Sequence, residues 1–241
     1  MQNQPSSPPK PITDIWRPDL VALPRLTLAR RSFRIFLRGL VKLVTFFTMR
    51  TNIRGMENFP RHGPALIVIN HLGDADAVLL GASIPTTIEG MGKIELNNER
   101  IVGPIFRAYG VIWVHRGRPD RRALRAALDA LAEGRMLGLA PEGRQSLIGG
   151  LEDGNEGAAF LAMKSDAPIV PIAMTGTENE HVYGHLKRWK RVPVTLTVGK
   201  PFHLREQADR QKMLQEGTRQ IMQSLADLLP ESYRGNYKPN L

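Results

Sequence analysis

A stretch of five apolar residues that changes abruptly into polar ones constrains the fold of this chain most. Residues 65–69 read Ala-Leu-Ile-Val-Ile, residues 70–76 carry one histidine and two aspartates, and apolar residues at helical spacing follow. This order predicts a buried strand that turns into a helix. In open α/β sheets, ligands bind at the carboxyl ends of the strands, so we expect a functional site at this turn.

His71 and the two aspartates of this turn make up the smallest general-base unit. An imidazole accepts a proton, and a carboxylate beside it fixes the tautomer and stabilises the charge that forms. Spacing alone does not identify that carboxylate. Helical geometry favours Asp74, but His71 is expected before the helix, where helical spacing does not apply, so Asp76 remains an alternative. A simpler explanation is that Asn70 or Asp74 only caps the helix.

Strand-like and helix-like segments alternate along the rest of the chain. The expected strands cover residues 65–69, 86–91, 111–114, 136–139, 168–173 and 194–198, and the expected helices cover 97–108, 118–133, 154–164 and 205–229. Such alternation predicts an α/β fold with a mixed, largely parallel sheet flanked by helices. The chain has no internal repeat and no obvious linker, which predicts one domain over residues 51–230 and a polar tail over residues 231–241.

Three segments of this arrangement are expected to be less regular. Residues 51–60 are expected to form an edge strand that leads into a turn. The strand at residues 168–173 contains Pro168 and Pro171, and because proline cannot donate a ladder hydrogen bond, we expect a sheet edge or an irregular ladder there. Residues 176–192 are rich in basic side chains and are expected to form a loop.

The first 50 residues are expected to form a separate N-terminal part. Residues 1–24 contain six prolines, which predicts an extended or disordered start. Residues 25–50 place apolar residues at helical spacing and a basic residue at every fourth position. The apolar set is Phe33, Phe36, Leu37, Leu40, Val41, Val44 and Phe47, and the basic set is Arg30, Arg34, Arg38 and Lys42. This pattern predicts an amphipathic helix with a basic polar face.

Two placements of this N-terminal helix fit the pattern. A basic amphipathic helix with aromatic residues is suited to lie in an anionic membrane interface, which predicts a membrane-association segment. Alternatively, the apolar stripe packs on the protein and the arginines face solvent. The longest stretch without a charge, residues 43–49, is far too short to cross a bilayer.

The charge balance narrows the class of partner. Lysine and arginine total 33 against 23 aspartates and glutamates, a formal net charge of +10, and the pI is about 10.3. This excess favours anionic partners such as an acidic membrane surface, phosphorylated substrates or nucleic acid. Nucleic acid is the weaker alternative, because only 6% of the residues are aromatic and no nucleic-acid-binding motif occurs.

The cysteine and histidine content argues against several kinds of functional site. Because the chain has no cysteine, it has no disulfide, no thiolate zinc site and no cysteine nucleophile. The six histidines are scattered, and His181 and His185, the one pair at i, i+4 spacing, lack a clear third ligand. We therefore expect no metal site.

Polar residues follow four of the predicted strands. They are His71 and Asp76, Lys93 and Glu95, His115 and Arg116, and Glu142 and Arg144. Because the carboxyl ends of parallel strands meet at one edge of a sheet, we expect these side chains to share one site. Lys93, Arg116 and Arg144 would then face the His71 base and hold an anion as large as a phosphate.

Four sequence blocks follow one another in order over roughly residues 55–200. They are residues 70–76 with His-x4-Asp spacing, residues 93–96 with Gly110 and Arg116 downstream, residues 140–146 (Ala-Pro-Glu-Gly-Arg-Gln-Ser) and residues 167–171 (Ala-Pro-Ile-Val-Pro). Together they resemble the blocks of the glycerolipid acyltransferase family, which includes the 1-acylglycerol-3-phosphate acyltransferases. Four ordered blocks are far more specific than His-x4-Asp alone.

The resemblance implies acyl transfer from acyl-CoA or acyl carrier protein to the free hydroxyl of 1-acylglycerol-3-phosphate in phospholipid biosynthesis, with no further cofactor. It implies that His71 is the general base and that Asp76 orients it. The chain has no cysteine and no Gly-x-Ser-x-Gly elbow, so we expect direct transfer without a covalent intermediate. The implied acceptor-binding residues are Lys93, Arg116, Glu142, Gly143 and Arg144. It also implies a peripheral or membrane-embedded N-terminal helix pair, which residues 15–50 are expected to supply. With the basic charge, this predicts a peripheral or monotopic protein at the cytoplasmic face of the cell membrane, with an anionic membrane surface, not nucleic acid, as its partner.

Three positions depart from the pattern of this family. His115 stands where the family often has aspartate, Ala140 replaces the leading phenylalanine of the third block, and Arg144-Gln145 replaces Thr-Arg. The arginine of the third block is thus displaced by one residue. This departure bears on the identity of the acceptor more than on the type of reaction. The alternative is a same-fold acyltransferase for a different lipid or alcohol. Backbone amides at the helix start after Gly73 are expected to stabilise the oxyanion.

Overall fold

The fold is built on a seven-stranded sheet with helices on both faces. A computed structural model describes residues 9–117, 119–204 and 209–238. The strands are β1 (Met49–Arg54), β2 (Ala65–Ile69), β3 (Glu89–Lys93), β4 (Ile112–Val114), β5 (Met136–Leu139), β6 (Ile169–Thr175) and β7 (Val192–Val198). The helices are α1 (Leu28–Thr48), α2 (Ala75–Ser83), α3 (Val102–Tyr109), α4 (Arg121–Ala132), α5 (Gly157–Ser165), α6 (Asn179–Leu186) and α7 (Arg210–Leu228). Expectations for residues 1–8, Arg118, 205–208 and 239–241 lie outside the described residues.

The sheet is mixed and largely parallel, as predicted. Its strand order is β1-β7-β6-β2-β5-β3-β4. The five strands from β6 to β4 are mutually parallel, so their carboxyl ends share one edge of the sheet. Strand β7 pairs antiparallel with β6, and β1 pairs parallel with β7, so these two strands run in the opposite direction. The predicted α/β class is confirmed, and β1 is an edge strand.

The side chains of β2 alternate between two hydrophobic clusters. Leu66 and Val68 face the cluster formed with α4, α5 and α7, whereas Ala65 and Ile67 face the cluster formed with α2. A central parallel strand that is covered on both faces needs an apolar residue at every position. This explains why residues 65–69 form an uninterrupted apolar run.

Strand β6 lies third in the sheet, between β7 and β2, so the edge placement expected from its prolines is wrong. Pro171 is tolerated because the ladder to β7 begins only at Ile172, opposite Val198. Past that point the chain leaves β7 at Gly199, whose N–H donates to the carbonyl of Pro171 at 2.8 Å. The irregular ladder, the other expectation, is what the structure contains.

Helix α1 packs on the protein through its arginines. Arg34 is only 3% exposed, and its Nη1 and Nη2 each donate to one carboxylate oxygen of Glu89 at 2.7 Å. Its guanidinium also lies 4.5 Å from the centre of the Tyr109 ring. Arg38 donates to the carbonyl of Ile84 at 2.5 Å. The placement in which the arginines face solvent is therefore wrong for Arg34 and Arg38. Part of the predicted apolar stripe does pack on the protein, since Phe33, Leu37 and Val41 are half-buried.

The opposite face of α1 is apolar and exposed. Its members, each between 42% and 83% exposed, are Leu28, Ile35, Phe36, Leu40, Leu43, Val44, Phe46 and Phe47. An apolar surface of this extent marks a contact site. Among the described residues, no helix combines the length and hydropathy needed to span a membrane.

Residues 9–24 are mostly extended, with one 3-10 turn at Pro18–Leu20, and run from the carboxyl edge of the sheet to its opposite edge, where the carbonyl of Pro24 accepts from Arg135 just before β5. The N–H of Thr13 donates to the carbonyl of Arg116 at 3.1 Å, and the N–H of Arg116 donates to Oγ1 of Thr13 at 2.7 Å. Val21 is buried in the core. These contacts attach the N-terminal segment to the loop that follows β4.

The segment 176–192, expected to be a loop, contains the two-turn helix α6. Only Val182 of this helix is buried, so the segment is too short and too exposed to show an apolar periodicity. His181 and His185 lie on this helix, not in a loop, and their ring centres are 4.4 Å apart.

Candidate active site

Four neighbouring strands bring the predicted site residues to the carboxyl edge of the sheet. His71 follows β2, Glu142 follows β5, Lys93 ends β3, and Arg116 follows β4. These strands are adjacent in the order β2-β5-β3-β4. The edge therefore presents the His71 imidazole and two cations, and the buried carboxyl group of Glu142 lies behind the imidazole on the neighbouring strand.

The imidazole of His71 is paired with Asp76. Its Nδ1 lies 2.7 Å from Oδ2 of Asp76, whose side chain is buried. The same Oδ2 accepts the main-chain N–H groups of Leu72 at 2.7 Å and Gly73 at 3.0 Å. Asp76 is the second residue of α2, so its carboxylate folds back onto amides that a helix start leaves unpaired. These contacts fix the His71 ring with Nδ1–H as the donor to Asp76.

The other polar residues of the turn make different contacts. The carboxylate of Asp74 accepts from Nε2 of Gln145 at 2.8 Å, and its side chain makes no capping bond. Asn70 is buried and exchanges two side-chain hydrogen bonds with the main chain of Met174, at 2.8 and 2.7 Å. The geometry therefore pairs His71 with Asp76, a choice that spacing left open, and neither Asn70 nor Asp74 caps the helix.

The second ring nitrogen of His71 faces the open edge. The side chain is 30% exposed, and no described residue forms a hydrogen bond with Nε2. Its main chain is held on both sides, because its N–H donates to Oε1 of Glu142 at 3.0 Å and its carbonyl accepts from the N–H of Ser146 at 2.7 Å. An imidazole held in this way can take a proton at Nε2 while Nδ1–H stays on Asp76.

Glu142 connects the His71 turn to the loop after β5. Its Oε1 accepts the N–H of His71, its Oε2 accepts the N–H of Glu152 at 2.8 Å, and its side chain is fully buried. Burial raises the pKa of Glu142 to about 7, although the two N–H donors act to lower it. Gly143 has a left-handed φ of 74°, and a Cβ there would lie 2.6 Å from Nδ2 of Asn155. Glu142 therefore acts on the site through the main chain of His71.

Arg144 is engaged within the protein. Its Nε donates to Oε2 of Glu152 at 2.7 Å, and its Nη1 donates to the carbonyl of Pro9 at 3.2 Å. The other oxygen of Glu152 accepts the N–H of Leu147 at 2.7 Å. Both side chains of the ion pair are buried. The charge of Arg144 is thus neutralised by Glu152, and the ion pair holds together the loop that follows β5.

Lys93 and Arg116 lie on adjacent strands and are partly exposed. Lys93 pairs with Val114 in the register of β3 and β4, two residues before Arg116. Nη2 of Arg116 lies 3.8 Å from Oε1 of Glu95, a loose pair at the surface. Within the described part of the chain, Lys93 has no ion-pair partner. Two accessible cations on neighbouring strands are suited to bind one phosphate.

A second His-x4-Asp pair, His115 and Asp120, lies at the end of β4. Its Nδ1 to Oδ2 distance is 2.7 Å, the same as in the first pair. Here, however, Nε2 accepts a hydrogen bond from the N–H of Arg17 at 3.1 Å, and the buried ring lies 4.4 Å from the ring of Trp16. Both nitrogens are therefore occupied, and the pair holds the N-terminal segment. Because His115 and Asp120 have the same spacing as His71 and Asp76, this pair could have been recognised from the sequence.

The main-chain amides of the His71 turn are largely engaged. Those of Leu72 and Gly73 bind Asp76, and the N–H of Asp74 donates to Oδ1 of Asn179 at 2.9 Å. The first amide after Gly73 thus already has a partner in this structure. Sequence reasoning missed Asn179 because its contact with the turn depends on β6 lying beside β2.

The sequence around this edge matches a known family model. The model, described as Acyltransferase, matches residues 50–175, which is more than half of the chain. The matched region contains all four sequence blocks and both His-x4-Asp pairs.

Several named proteins are similar to this chain. The 1-acyl-sn-glycerol-3-phosphate acyltransferase of Bacillus subtilis is 26% identical over 70% of this chain and 81% of its own length. The protein of the same name from Borreliella burgdorferi is 27% identical over 62% and 61%. The chloroplastic 1-acyl-sn-glycerol-3-phosphate acyltransferase LPAT1 of Arabidopsis thaliana is 28% identical over 72% and 50%. The chain thus spans only half to three fifths of the latter two relatives.

A solved structure shares the fold. The crystal structure of the 1-acyl-sn-glycerophosphate (LPA) acyltransferase PlsC from Thermotoga maritima matches with a TM-score of 0.62, at 22% identity, over 84% of this chain and 84% of that one. At this identity the likeness concerns the arrangement of helices and strands.

Proposed function

Because the chain belongs to the acyltransferase family, we propose that it transfers a fatty acyl group from acyl-CoA or acyl carrier protein to the free hydroxyl of 1-acylglycerol-3-phosphate. The observation that carries the proposal is the accessible Nε2 of His71, whose Nδ1 is fixed on Asp76 at 2.7 Å. The name shared by the similar proteins supports this acceptor.

The proposed reaction is a direct transfer. Nε2 of His71 takes the proton of the acceptor hydroxyl as the hydroxyl oxygen attacks the thioester carbonyl. The tetrahedral intermediate then collapses, the C–S bond breaks, and the imidazolium returns the proton to the leaving thiolate. Asp76 keeps Nδ1–H in place and stabilises the imidazolium. A positioned general base typically contributes about 10²–10⁴-fold, so alignment of the two substrates must supply much of the remainder.

We assign the acceptor phosphate to Lys93 and Arg116, because both are partly exposed and lie on adjacent strands at the same edge as His71. Arginine offers paired N–H groups to phosphate oxygens, and lysine adds a point charge. We place Glu142, Gly143 and Arg144 in the wall of the acceptor site, through the loop that they shape.

A different acceptor is the second candidate. Arg144 is buried against Glu152, so the third block contributes less positive charge to the carboxyl edge of the sheet than an unpaired arginine would. This favours an acceptor with fewer negative charges, such as a non-phosphorylated lipid alcohol. The reaction would still be acyl transfer to a hydroxyl group.

We further propose that the exposed apolar face of α1 contacts the cytoplasmic face of the cell membrane, as in a peripheral protein. Phe36 and Phe47 on that face are 64% and 66% exposed. Aromatic and aliphatic side chains along one face of a helix suit the boundary between headgroups and acyl chains. Because Arg34 and Arg38 pack inward, the burial of apolar surface, more than the basic face, drives this contact.

The test is acyl transfer from a long-chain acyl-CoA to 1-acylglycerol-3-phosphate in neutral mixed micelles, with the wild type beside His71→Ala. We expect transfer by the wild type and its loss in a variant that remains folded, as checked by its thermal unfolding transition. Acyl carrier protein as donor, and a panel of phosphorylated and non-phosphorylated alcohols as acceptors, identify both substrates. Wild-type inactivity with every pair, or undiminished transfer by the variant, contradicts the proposal.

A further inference from the structure

The turn between α6 and β7 carries the most exposed aromatic side chain among the described residues. Residues 187–191, called the 187–191 loop below, read Lys-Arg-Trp-Lys-Arg. Trp189 is 98% exposed, and the four basic residues around it are exposed as well. Nothing in the reaction proposed above uses this loop.

The backbone of the loop makes a tryptophan there unexpected. Trp189 has a left-handed φ of 54°. Its N–H donates to the carbonyl of Leu186, and the N–H of Lys190 donates to the carbonyl of His185, both at 3.0 Å. These are the two hydrogen bonds of a Schellman motif, in which the left-handed position is usually glycine. Neither the backbone nor the core accounts for a large apolar side chain here, which points to a contact outside the chain.

The basic side chains of the loop fall into two groups. Within the described residues, Lys187, Arg188 and Lys190 form no ion pair. Arg191 instead donates through Nε to the carbonyl of Met49 at 2.9 Å and lies 5.7 Å from the centre of the Phe46 ring. Arg191 therefore fixes the loop beside the end of α1, and the other three charges remain available to an anion.

The 187–191 loop continues the exposed apolar face of α1. Phe46 and Phe47 at the end of α1 are each 66% exposed, and Leu186 precedes the loop with 37% exposure. An apolar patch next to basic side chains matches the chemistry of an anionic bilayer, which offers acyl chains and phosphates together. Nucleic acid would use the charges and the indole but leave the aliphatic and phenyl groups without a partner.

Helix α6 links this loop to the candidate active site. Asn179 in its first turn accepts the N–H of Asp74 at 2.9 Å, and the hydroxyl of Tyr183 lies 3.4 Å from Oδ2 of Asp74. Eight helical residues span about 12 Å. The loop therefore lies about one short helix away from the turn that carries His71.

We propose that the 187–191 loop is a membrane anchor, in which Trp189 enters the interface of an anionic bilayer and Lys187, Arg188 and Lys190 contact lipid phosphates. The inference extends the membrane contact proposed for α1 and rests on it. Contact through both surfaces brings the carboxyl edge of the sheet close to the bilayer, where an acceptor with an acyl chain resides.

A single substitution isolates the indole. Trp189→Gly removes the side chain and suits the φ of 54°, so it should keep or raise the Tm. Lipids with brominated acyl chains should quench the fluorescence of Trp189 in the wild type. The variant reports the background from Trp16 and Trp113, the two other tryptophans.

A pair of triple variants isolates the charges. The loop variant is K187Q/R188Q/K190Q, and the matched control is R61Q/K164Q/K200Q. Each removes three exposed positive charges, but those of the control lie near the amino ends of β2 and β6, at the opposite edge of the sheet. Both proteins therefore have the same net charge and differ only in where it was removed.

Partition is measured with phosphatidylcholine vesicles, with and without phosphatidylglycerol, at low and high salt. We expect the loop triple variant to lose at least about 10-fold in affinity for the anionic vesicles at low salt, while the control stays within about 3-fold of the wild type. Trp189→Gly should lose several-fold on the same vesicles. All three variants should keep wild-type activity in neutral mixed micelles.

Three results would overturn the anchor. The first is wild-type affinity of the loop variants for anionic vesicles, or no quenching of Trp189 by brominated lipid. The second is a wild type that binds neither vesicle, which also removes the α1 contact. The third is tighter binding of duplex DNA than of vesicles, lost in the loop triple variant, which assigns the loop to nucleic acid. Failure of the acyltransferase proposal looks different, because the wild type would then be inactive in micelles yet bind vesicles.

Discussion

The main-chain N–H of Arg17 donates a hydrogen bond of 3.1 Å to Nε2 of His115, and this contact distinguishes the two His-x4-Asp pairs of the chain. In both pairs, Nδ1 of the histidine lies 2.7 Å from an aspartate oxygen. Among the described residues, nothing bonds to Nε2 of His71. The same local motif thus leaves the imidazole of His71 accessible to a substrate, whereas the imidazole of His115 holds the N-terminal segment in place.

Replacing His115 should therefore lower stability, whereas replacing His71 should lower activity. His115→Ala removes the partner of the buried Asp120 carboxylate and of the Arg17 amide, a loss of about 1–3 kcal/mol in the free energy of unfolding. His71→Ala should lower kcat by about 10²–10⁴-fold. It should cost less stability than His115→Ala, because it removes a partner from Asp76 alone, whereas His115 also accepts the N–H of Arg17. Urea unfolding and single-turnover kinetics on both variants check this. A His115 variant that is inactive but fully stable contradicts the assignment.

Asp76 should matter far more than Asp74. Asp76→Asn removes the carboxylate that fixes the His71 tautomer, so we expect kcat to fall by at least about 10²-fold. Asp74→Asn is the matched control, because that side chain contacts Gln145 and not the imidazole, and it should stay within about 3-fold of the wild type. Equal losses in the two variants would show that the pairing seen here is not the one used in the reaction.

Replacing only one member of the buried pair of Arg34 and Glu89 should lower the free energy of unfolding strongly, whereas replacing both members should lower it much less. Arg34→Met leaves Glu89 buried with Arg135 as its remaining cation, at 3.4 Å, and should cost about 3–5 kcal/mol. The double variant R34M/E89M should recover most of that loss. Chemical denaturation of the two single variants and the double variant measures the coupling. Strictly additive losses would argue against a direct pair.

The pH dependence of stability should carry a signature of Glu142. Burial raises its pKa from an ordinary 4.5 to about 7, so between these values the folded state holds a proton that the unfolded state has lost. Stability from this group therefore falls as the pH rises from about 4.5 to about 7 and then stays level, with a total change of order 3 kcal/mol. Glu142→Gln cannot titrate. The unfolding free energy of the wild type should therefore fall relative to that of the variant as the pH rises across that window. A difference that does not change with pH would contradict the raised pKa.

The apolar face of α1 should be dispensable for folding. The double variant F36S/F47S changes only exposed side chains, so we expect its unfolding free energy to stay within about 1 kcal/mol of the wild type. Its binding to phosphatidylcholine vesicles should fall several-fold, because less apolar area enters the interface. Loss of folding instead would show that this face packs against protein.

Local patterns were sufficient for the elements whose signal lies in the element itself. The strand at residues 136–139 and the helix that starts before residue 77 follow from apolar runs and periodicity. The gathering of His71, Lys93, Arg116 and Glu142 at one edge follows from the parallel direction of their strands.

What the sequence left undecided depends on contacts between distant residues. The periodicity of α1 shows that it has two faces but not which one packs inward, and the answer comes from Glu89, 55 residues after Arg34. The prolines of β6 fit a central strand only because its ladder with the following chain is interrupted between Ile172–Val198 and Ile169–Phe202, a feature that no local pattern shows. Likewise, the choice between Asp74 and Asp76 depends on how the turn folds onto its own amides.

The contacts of the N-terminal segment predict that the carboxyl edge of the sheet is completed late in folding. Arg17 meets His115 across 98 residues, and Pro9 meets Arg144 across 135 residues. Contacts of such high sequence separation form only after the intervening chain exists, and both partners are synthesised long after the segment itself. During translation, residues 9–24 must therefore wait while the parallel strands assemble. The wall that they add beside Arg116 is then among the last parts of the molecule to form.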